Sequence, residues 1–361
     1  MTHWITGALL SRIWPATELM KAMLLKQIVS LQHSPAPLTL EDIPVPEPAD
    51  DEVLIQVNAC GVCHTELDEI EGRTPPPLLP IVPGHEVIGR VTETGDRVTK
   101  LEVGDRVGVG WIFKASGEED ENISDEFVAT GRDANGGYAE YMTVHERYAY
   151  RIPDCFNDYE AAPLLCAGGV GYRALSLTNI RDGDILGLTG FGGSGHLVLQ
   201  LARYLYPKSP VYVFARSPKE RKFAIELGAA WAGDTDDEPP QKPHAIIDTT
   251  PAWRPVLAAM KCLRPGGRLV INAIRKEDRD KSLLADIDYS EHLWQEKELK
   301  TVANVTSHDI TAFLDVAAAA GIRPEVQVYQ LDEANKALNE LQAGHIRGAK
   351  VLAIGDGIQG H

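Results

Sequence analysis

The chain has 361 residues, of which 44% are hydrophobic and 24% charged, and its formal net charge is -17 at pH 7. That length allows one large domain or two ordinary ones, and the composition is that of a globular protein. The acidic balance works against nucleic acid and anionic membranes as partners, and no apolar run reaches the roughly 18 residues that span a bilayer.

Residues 1–20 read as an N-terminal extension, disordered before about Met20, with Met20 or Met23 as alternative starts. Arg12 interrupts their apolar run and no basic segment precedes it, so they do not form a signal peptide. Short Val/Ile-rich runs broken by Gly and Pro follow: EVLIQVNA (Glu52 to Ala59), EVIGRVTETG (Glu86 to Gly95) and GDRVGVGW (Gly104 to Trp111). They predict an all-β, barrel-like unit. Between the first two lies ACGVCHTE (Ala59 to Glu66), with cysteines at C-x-x-C spacing. By itself that spacing fits a redox dithiol, half of a structural zinc site, or neither. The run GEEDEN (Gly117 to Asn122) reads as an acidic, solvated loop without the spacing of an EF-hand.

At Asp182 the pattern changes. The strands GDILGLTG, PVYVFA, HAIIDTT and RLVINAI alternate with the helices HLVLQLARYL, SPKERKFAIELGA and RPVLAAMKCLRPGG. This alternation predicts a parallel, helix-covered sheet. Past Asn304 come a helix (HDITAFLDVAAAAG), a strand near VQVYQL, a helix (DEANKALNELQAG) and a strand (KVLAI).

Gly190-Phe191-Gly192-Gly193-Ser194-Gly195 is G-x-G-x-x-G, placed after a strand and before a helix, as a dinucleotide-binding turn requires. Gly190 permits the tight turn, Gly192 and Gly193 leave room for a pyrophosphate, and Gly195 lets helix and strand pack closely. The second strand ends in Ala215-Arg216-Ser217 with no acid to accept the ribose hydroxyls. Arg216 can pair with a 2′-phosphate, so NADP is expected in preference to NAD.

Of the five cysteines (Cys60, Cys63, Cys155, Cys166 and Cys262), an odd number in a large chain, none suggests a disulfide framework. A reducing, cytoplasmic setting and a metal role fit better. Cys63 in GVCHTE, His85 in PGHEVIG and Cys166 in PLLCAGG offer two thiolates and one imidazole, which is the ligand pattern of a catalytic zinc with its fourth position open.

These motifs, with GHEVIGRVTETGDRV, GDRVGVG, GGYAEY (Gly136 to Tyr141), AAPLLCAG and GFGGSG in order, resemble the zinc-containing alcohol dehydrogenases of the medium-chain dehydrogenase/reductase superfamily from about Met20 to Ile354. The resemblance implies a GroES-like β-barrel catalytic domain (residues 21–167 and 305–361) with an inserted Rossmann coenzyme domain (168–304). Cys63, His85 and Cys166 would hold one catalytic zinc, and Cys60 would be a buried strand residue. Thr65 would bond the substrate alcohol and take its proton. His64 would reach the cofactor pyrophosphate or pass the proton on. Glu66 would be a carboxylate tuning the metal from behind its ligands, and Glu86 an acid behind the zinc. Asp68 stands where some members carry the histidine that ends the proton relay.

No structural zinc is expected, because Lys114 to Gly131, where many members carry four cysteines, contains none; Ser116, Glu119 and Ser124 stand there instead. The implied reaction moves a hydride between a small primary alcohol or aldehyde and NAD(P), in a homo-oligomer (dimer or tetramer). Trp111, Phe113 and Trp294 are candidates for the pocket lining. The rival readings are a zinc-free quinone or enone reductase of the same superfamily and a non-catalytic NADP(H)-binding sensor.

Overall fold

In the computed structural model, which describes residues 18–344 and 348–355, the chain enters through an antiparallel pair, β1 (Leu19–Leu25) and β2 (Leu38–Pro44). Leu19 and Met20 therefore belong to the fold, and Met20 is buried. This corrects the expected end of the N-terminal extension at residue 20; residues 1–17 lie outside the described residues.

The long strand β3 (Glu52–Val62) turns at Cys63 into α1 (His64–Ile70). β4 (Val87–Thr94) and β5 (Arg106–Val109) follow, then a small lobe framed by β6 (Ile112–Lys114) and β7 (Val128–Ala129). β8 (Tyr141–His145), β9 (Ala149–Arg151) and α2 (Asp158–Ala161) lead to α3 (Ala167–Thr178). The parallel-sheet half comprises β10 (Leu186–Thr189), α4 (Gly193–Leu205), β11 (Val211–Phe214), α5 (Pro218–Glu226), β12 (Trp231–Gly233), β13 (Ala245–Asp248), α6 (Arg254–Cys262), β14 (Arg268–Ile271) and β15 (Glu298–Thr301). Its order is β12-β11-β10-β13-β14-β15, parallel throughout. Then come α7 (Ser307–Ala320), β16 (Val326–Gln330), α8 (Ala334–Gln342) and β17 (Ala349–Ala353). β17 pairs with β3, so the end of the chain returns to the first sheet.

That first sheet runs β16-β17-β3-β4-β5-β9, with β8 added on β3. Among the described residues the pairing is an open order, in the barrel-like half that was expected. α7 packs on α3 and α4, the helix layer of the parallel sheet, and also on the turn Ala162–Leu165 of the β-rich half.

Two helices escape a reading of hydrophobic period. α1 is seven residues long. α3 begins AGGVGY, and glycine lowers helix propensity. The structure explains two of its glycines. A Cβ at Gly168 would strike Phe313 of α7, and one at Gly171 would lie 2.7 Å from Val198 of α4. The glycines let three helices approach closely.

The lobe from Lys114 to Gly131 is not solvated throughout. Glu118, Glu119 and Asp120 are exposed, but Glu121 and Asn122 are buried. Glu121 accepts hydrogen bonds from the Ser307 amide at the start of α7 (2.6 Å) and from the Tyr148 hydroxyl (3.1 Å). Asn122 donates to the Ala303 carbonyl and accepts from Arg173.

Candidate metal centre and dinucleotide cleft

Cys63 is the N-cap of α1, where its sulfur accepts a hydrogen bond from the Thr65 amide at 3.3 Å. Glu66 completes the cap by accepting from the Cys63 amide at 2.8 Å. His85 follows Gly84, whose φ of +99° is a left-handed turn suited to glycine. Cys166 stands at the head of α3. Three separate elements thus bring two sulfurs and an imidazole together. The His85 Nε2 lies 3.5 Å from the Cys63 sulfur and 3.3 Å from the Cys166 sulfur. Zinc bonds of about 2.0–2.3 Å in a tetrahedron separate neighbouring donors by about 3.5 Å, so the set fits such a cation.

The Glu86 carboxylate joins them: donor atoms of Cys63, His85, Glu86 and Cys166 all lie within 4.8 Å of one another. Glu86 was expected behind the metal, and its carboxylate stands close enough to the other three to serve as a fourth donor. Gly61 makes room for it, since a Cβ there would collide with the Glu86 carboxylate. The glycine within a strand-like run was the signal in the sequence.

Behind the cluster, Glu66 Oε1 sits 2.6 Å from His85 Nδ1. It fixes the ring so that Nε2 faces the sulfurs, the arrangement that metal-binding histidines use. Trp111 meets the His85 ring edge-on at 4.7 Å. The cluster is poorly satisfied on its own. Glu69 is buried with Oε1 lacking a hydrogen-bond partner.

The bond with Cys166, then burial and Glu66, push the Cys63 thiol well above its ordinary pKa. Burial draws the His85 imidazole down, but the negative charges of Glu66 and Cys63 outweigh it and hold its pKa well up. Burial raises Glu86 to about 8. A cation at the centre reverses this logic, because it favours thiolate and carboxylate.

The cluster opens onto a cleft of about 2490 Å³ that also contains Gly190–Ser194, Arg216 and Arg275. Gly190 has φ +80° and lies under Thr249 and Thr250. A Cβ on Gly195 would stand 2.8 Å from the Gly190 carbonyl. Among the described residues, chain neighbours aside, no atom lies within 4 Å of a Cβ position on Gly192, so that glycine answers to no packing demand there. An open cradle at the head of α4, whose first amides are unpaired, suits an anionic phosphate group.

Gly193 begins α4, and Arg216 follows β11 at the cleft wall with Glu220 as a charged neighbour. His64 is wetted by the cleft yet walled by protein, and desolvation lowers its imidazole's pKa. Thr65 is half-buried beside Cys63 in the same cleft. Cys60 is fully buried in β3, and all five cysteines are free. Of the aromatic candidates for the lining, Trp111 lines the cleft; Phe113 packs against the core, and Trp294 is exposed beside Tyr289.

A family model described as the alcohol dehydrogenase GroES-like domain matches residues 49–154. A probable alcohol dehydrogenase, AdhA, of Mycobacterium tuberculosis is 41% identical over 86% of this chain and 91% of its own length. An alcohol dehydrogenase of Geobacillus stearothermophilus is 32% identical over 88% of this chain and 96% of its own. Among solved structures, a cinnamyl alcohol dehydrogenase of Sorghum bicolor superposes with a TM-score of 0.77 at 27% identity, covering 93% of this chain and 98% of that one. The chain belongs to the zinc-type alcohol dehydrogenases of the medium-chain dehydrogenase/reductase superfamily, with a GroES-like half and a Rossmann half. Among the described residues, no helix is long and apolar enough to cross a membrane.

Proposed function

We propose that this oxidoreductase is a zinc-dependent dehydrogenase of small alcohols, run in either direction with a nicotinamide dinucleotide. The observation that carries the reading is the convergence of Cys63, His85 and Cys166, with Glu86, in the same cleft as the Gly190–Gly195 turn. One zinc there would supply Lewis-acid polarisation of the substrate oxygen, and the dinucleotide would supply the hydride acceptor.

The chain's own residues do the rest. The Cys63, His85 and Cys166 side chains form the nest for the metal, with Glu86 as an exchangeable fourth donor. The Thr65 hydroxyl takes the alcohol proton in oxidation and returns it in aldehyde reduction. His64 passes that proton to the cleft or contacts the diphosphate. Gly190, Gly192, Gly193 and Gly195 seat the diphosphate against α4. Trp111, Leu165 and Val305 keep water from the reacting carbon.

Arg216 at the end of β11, with no acid beside it on that strand, supports NADP over NAD. Arg216→Asp is expected to move the ratio of NADP to NAD turnover towards NAD by about tenfold. An unchanged ratio would remove Arg216 from the reading.

The unit that binds the dinucleotide would run from α3 through α7, and the β-rich unit would hold the metal. Free cysteines support a cytoplasmic setting. Every residue of the edge strand β15 is exposed, Leu299 among them, with Ile287, Tyr289, Leu293 and Trp294 exposed nearby. An uncovered apolar edge supports a homo-oligomer that pairs there, and sedimentation tests it.

The experiment that tests the function is zinc per chain alongside alcohol oxidation, in wild type and in Cys63→Ser. About one zinc, lost together with turnover, supports the reading. Turnover that persists with a chelator moves the chain to the quinone and enone reductases. Dinucleotide binding without turnover leaves a sensor.

A further inference from the structure

The segment that follows β14, residues 272–280, reaches from one half of the molecule to the other. Lys276 is nearly buried, and its ammonium bonds the Asp248 carboxylate and the carbonyls of Thr250 (2.7 Å) and Ala252 (3.2 Å). Asp248, fully buried at the end of β13, also accepts from the hydroxyls of Thr189 and Thr250. Thr189 immediately precedes Gly190. Further along, the Glu277 amide bonds the Pro251 carbonyl at 2.7 Å, and Asp280 accepts from the amides of Trp253 and Arg254 at the head of α6. The segment is therefore anchored to the floor of the dinucleotide turn.

Arg275, one residue before Lys276, points the other way. Its Nε donates to Asp68 Oδ1 at 2.8 Å. Asp68 is buried on α1, one turn past His64, and the same oxygen accepts from Arg73 Nε at 2.6 Å. Arg73 is in turn fixed by Glu71, which also receives the Leu31 amide and the Gln342 side chain. Asp68, Arg73 and Arg275 all border the cleft. In a chain of net charge -17, two guanidinium groups share one carboxylate oxygen at the place where the halves meet.

We propose that Arg275 is a positioning residue: through Asp68 it sets α1, and with it Cys63, His64 and Thr65, against the dinucleotide turn that Lys276 holds. The Arg275–Lys276 pair then couples dinucleotide binding to the transfer step. The network is continuous, from Thr189 through Asp248, Lys276, Arg275 and Asp68 to α1, and its members are polar groups with fixed partners. Asp68 serves in this arrangement as an anchor and not as the end of a proton relay. The inference rests on the dinucleotide reading above.

The test uses full-length, zinc-loaded wild type, Arg275→Gln, Arg275→Lys, Asp68→Asn and the double variant Asp68→Asn with Arg275→Gln. NADPH and NADH are the binding probes, read by nicotinamide fluorescence. Single-turnover reduction of butanal and cinnamaldehyde reads the transfer step. Arg275→Gln should keep its zinc and its Tm, weaken dinucleotide binding about fivefold and slow single turnover about tenfold. Arg275→Lys should recover part of both. The double variant should be no worse than either single one, since both remove the same bond.

Binding and single turnover within twofold of wild type in Arg275→Gln, or losses that multiply in the double variant, would overturn the coupling while leaving the dehydrogenase reading intact. A loss of Tm with no change in binding or transfer would also overturn it, as that is a packing effect. Wild type that binds neither dinucleotide would overturn the functional reading and the coupling with it.

Discussion

The donor cluster and the lobe between β6 and β7 both bury acidic side chains, and they do so in opposite ways. At the cluster, Glu66, Glu69 and Glu86 are buried beside two cysteines and a histidine, and Glu69 Oε1 is left without a hydrogen-bond partner. In the lobe, Glu121 is as deeply buried but receives an amide and a phenol, and Asn122 has its carbonyl and guanidinium partners. Buried polar groups persist only when something satisfies them. In the lobe hydrogen bonds within the protein do so, and tie it to α3 and α7. At the cluster the protein alone does not, and the convergent donors fit a cation. The contrast separates a place whose donors fit a metal from a place whose buried polar groups are satisfied by hydrogen bonds within the protein.

The largest effect that would break this contrast is at the cluster. Cys63→Ser should take zinc from about one per chain to near none and lower alcohol oxidation by roughly a thousandfold, since Lewis-acid stabilisation contributes several kcal/mol. Elemental analysis with steady-state kinetics reads both. Glu66→Gln should act more weakly, by loosening the His85 ring. Zinc affinity should fall about 10- to 100-fold in competition with a chelator. If affinity is unchanged, Glu66 serves as a helix cap only.

The lobe should respond in stability and not in metal content. Glu121→Ala removes the acceptor for the Ser307 amide and Tyr148, and should cost about 2 kcal/mol by denaturant unfolding with zinc retained. Loss of zinc in that variant would mean that the two regions are not independent. Asn122→Ala should cost about 1 kcal/mol, because one partner is a backbone carbonyl and the other bond is long at 3.5 Å. Removing metal with a chelator should leave the stability difference of both lobe variants unchanged.

Much of the site was legible as short words. Cys63 with Thr65, His85 with Glu86, and Gly190 to Gly195 each carry their chemistry within a few residues. What the words did not show was depth. GEEDEN reads as uniformly wet, yet its fourth carboxylate turns inward to cap a helix more than 180 residues away. Glu86 reads as an acid behind the metal, and only the gap left at Gly61 shows that its carboxylate reaches the donors. α3 was missed because its glycines weaken any helical signal, although they are the contact surface with α4 and α7.

The sequence by itself determined the kinds of candidate donor, the glycine-rich turn between strand and helix and the change from β-rich to alternating structure, because these depend on residue type and on local period. Tertiary structure decided the rest. His85 lies 22 residues from Cys63 and 81 from Cys166 along the chain, and only the pairing of β3 with β4 and the docking of α3 close those distances. The same holds for Arg275 and Asp68, 207 residues apart. Long-range pairing sets which charges meet and which are buried, and no local pattern encodes that.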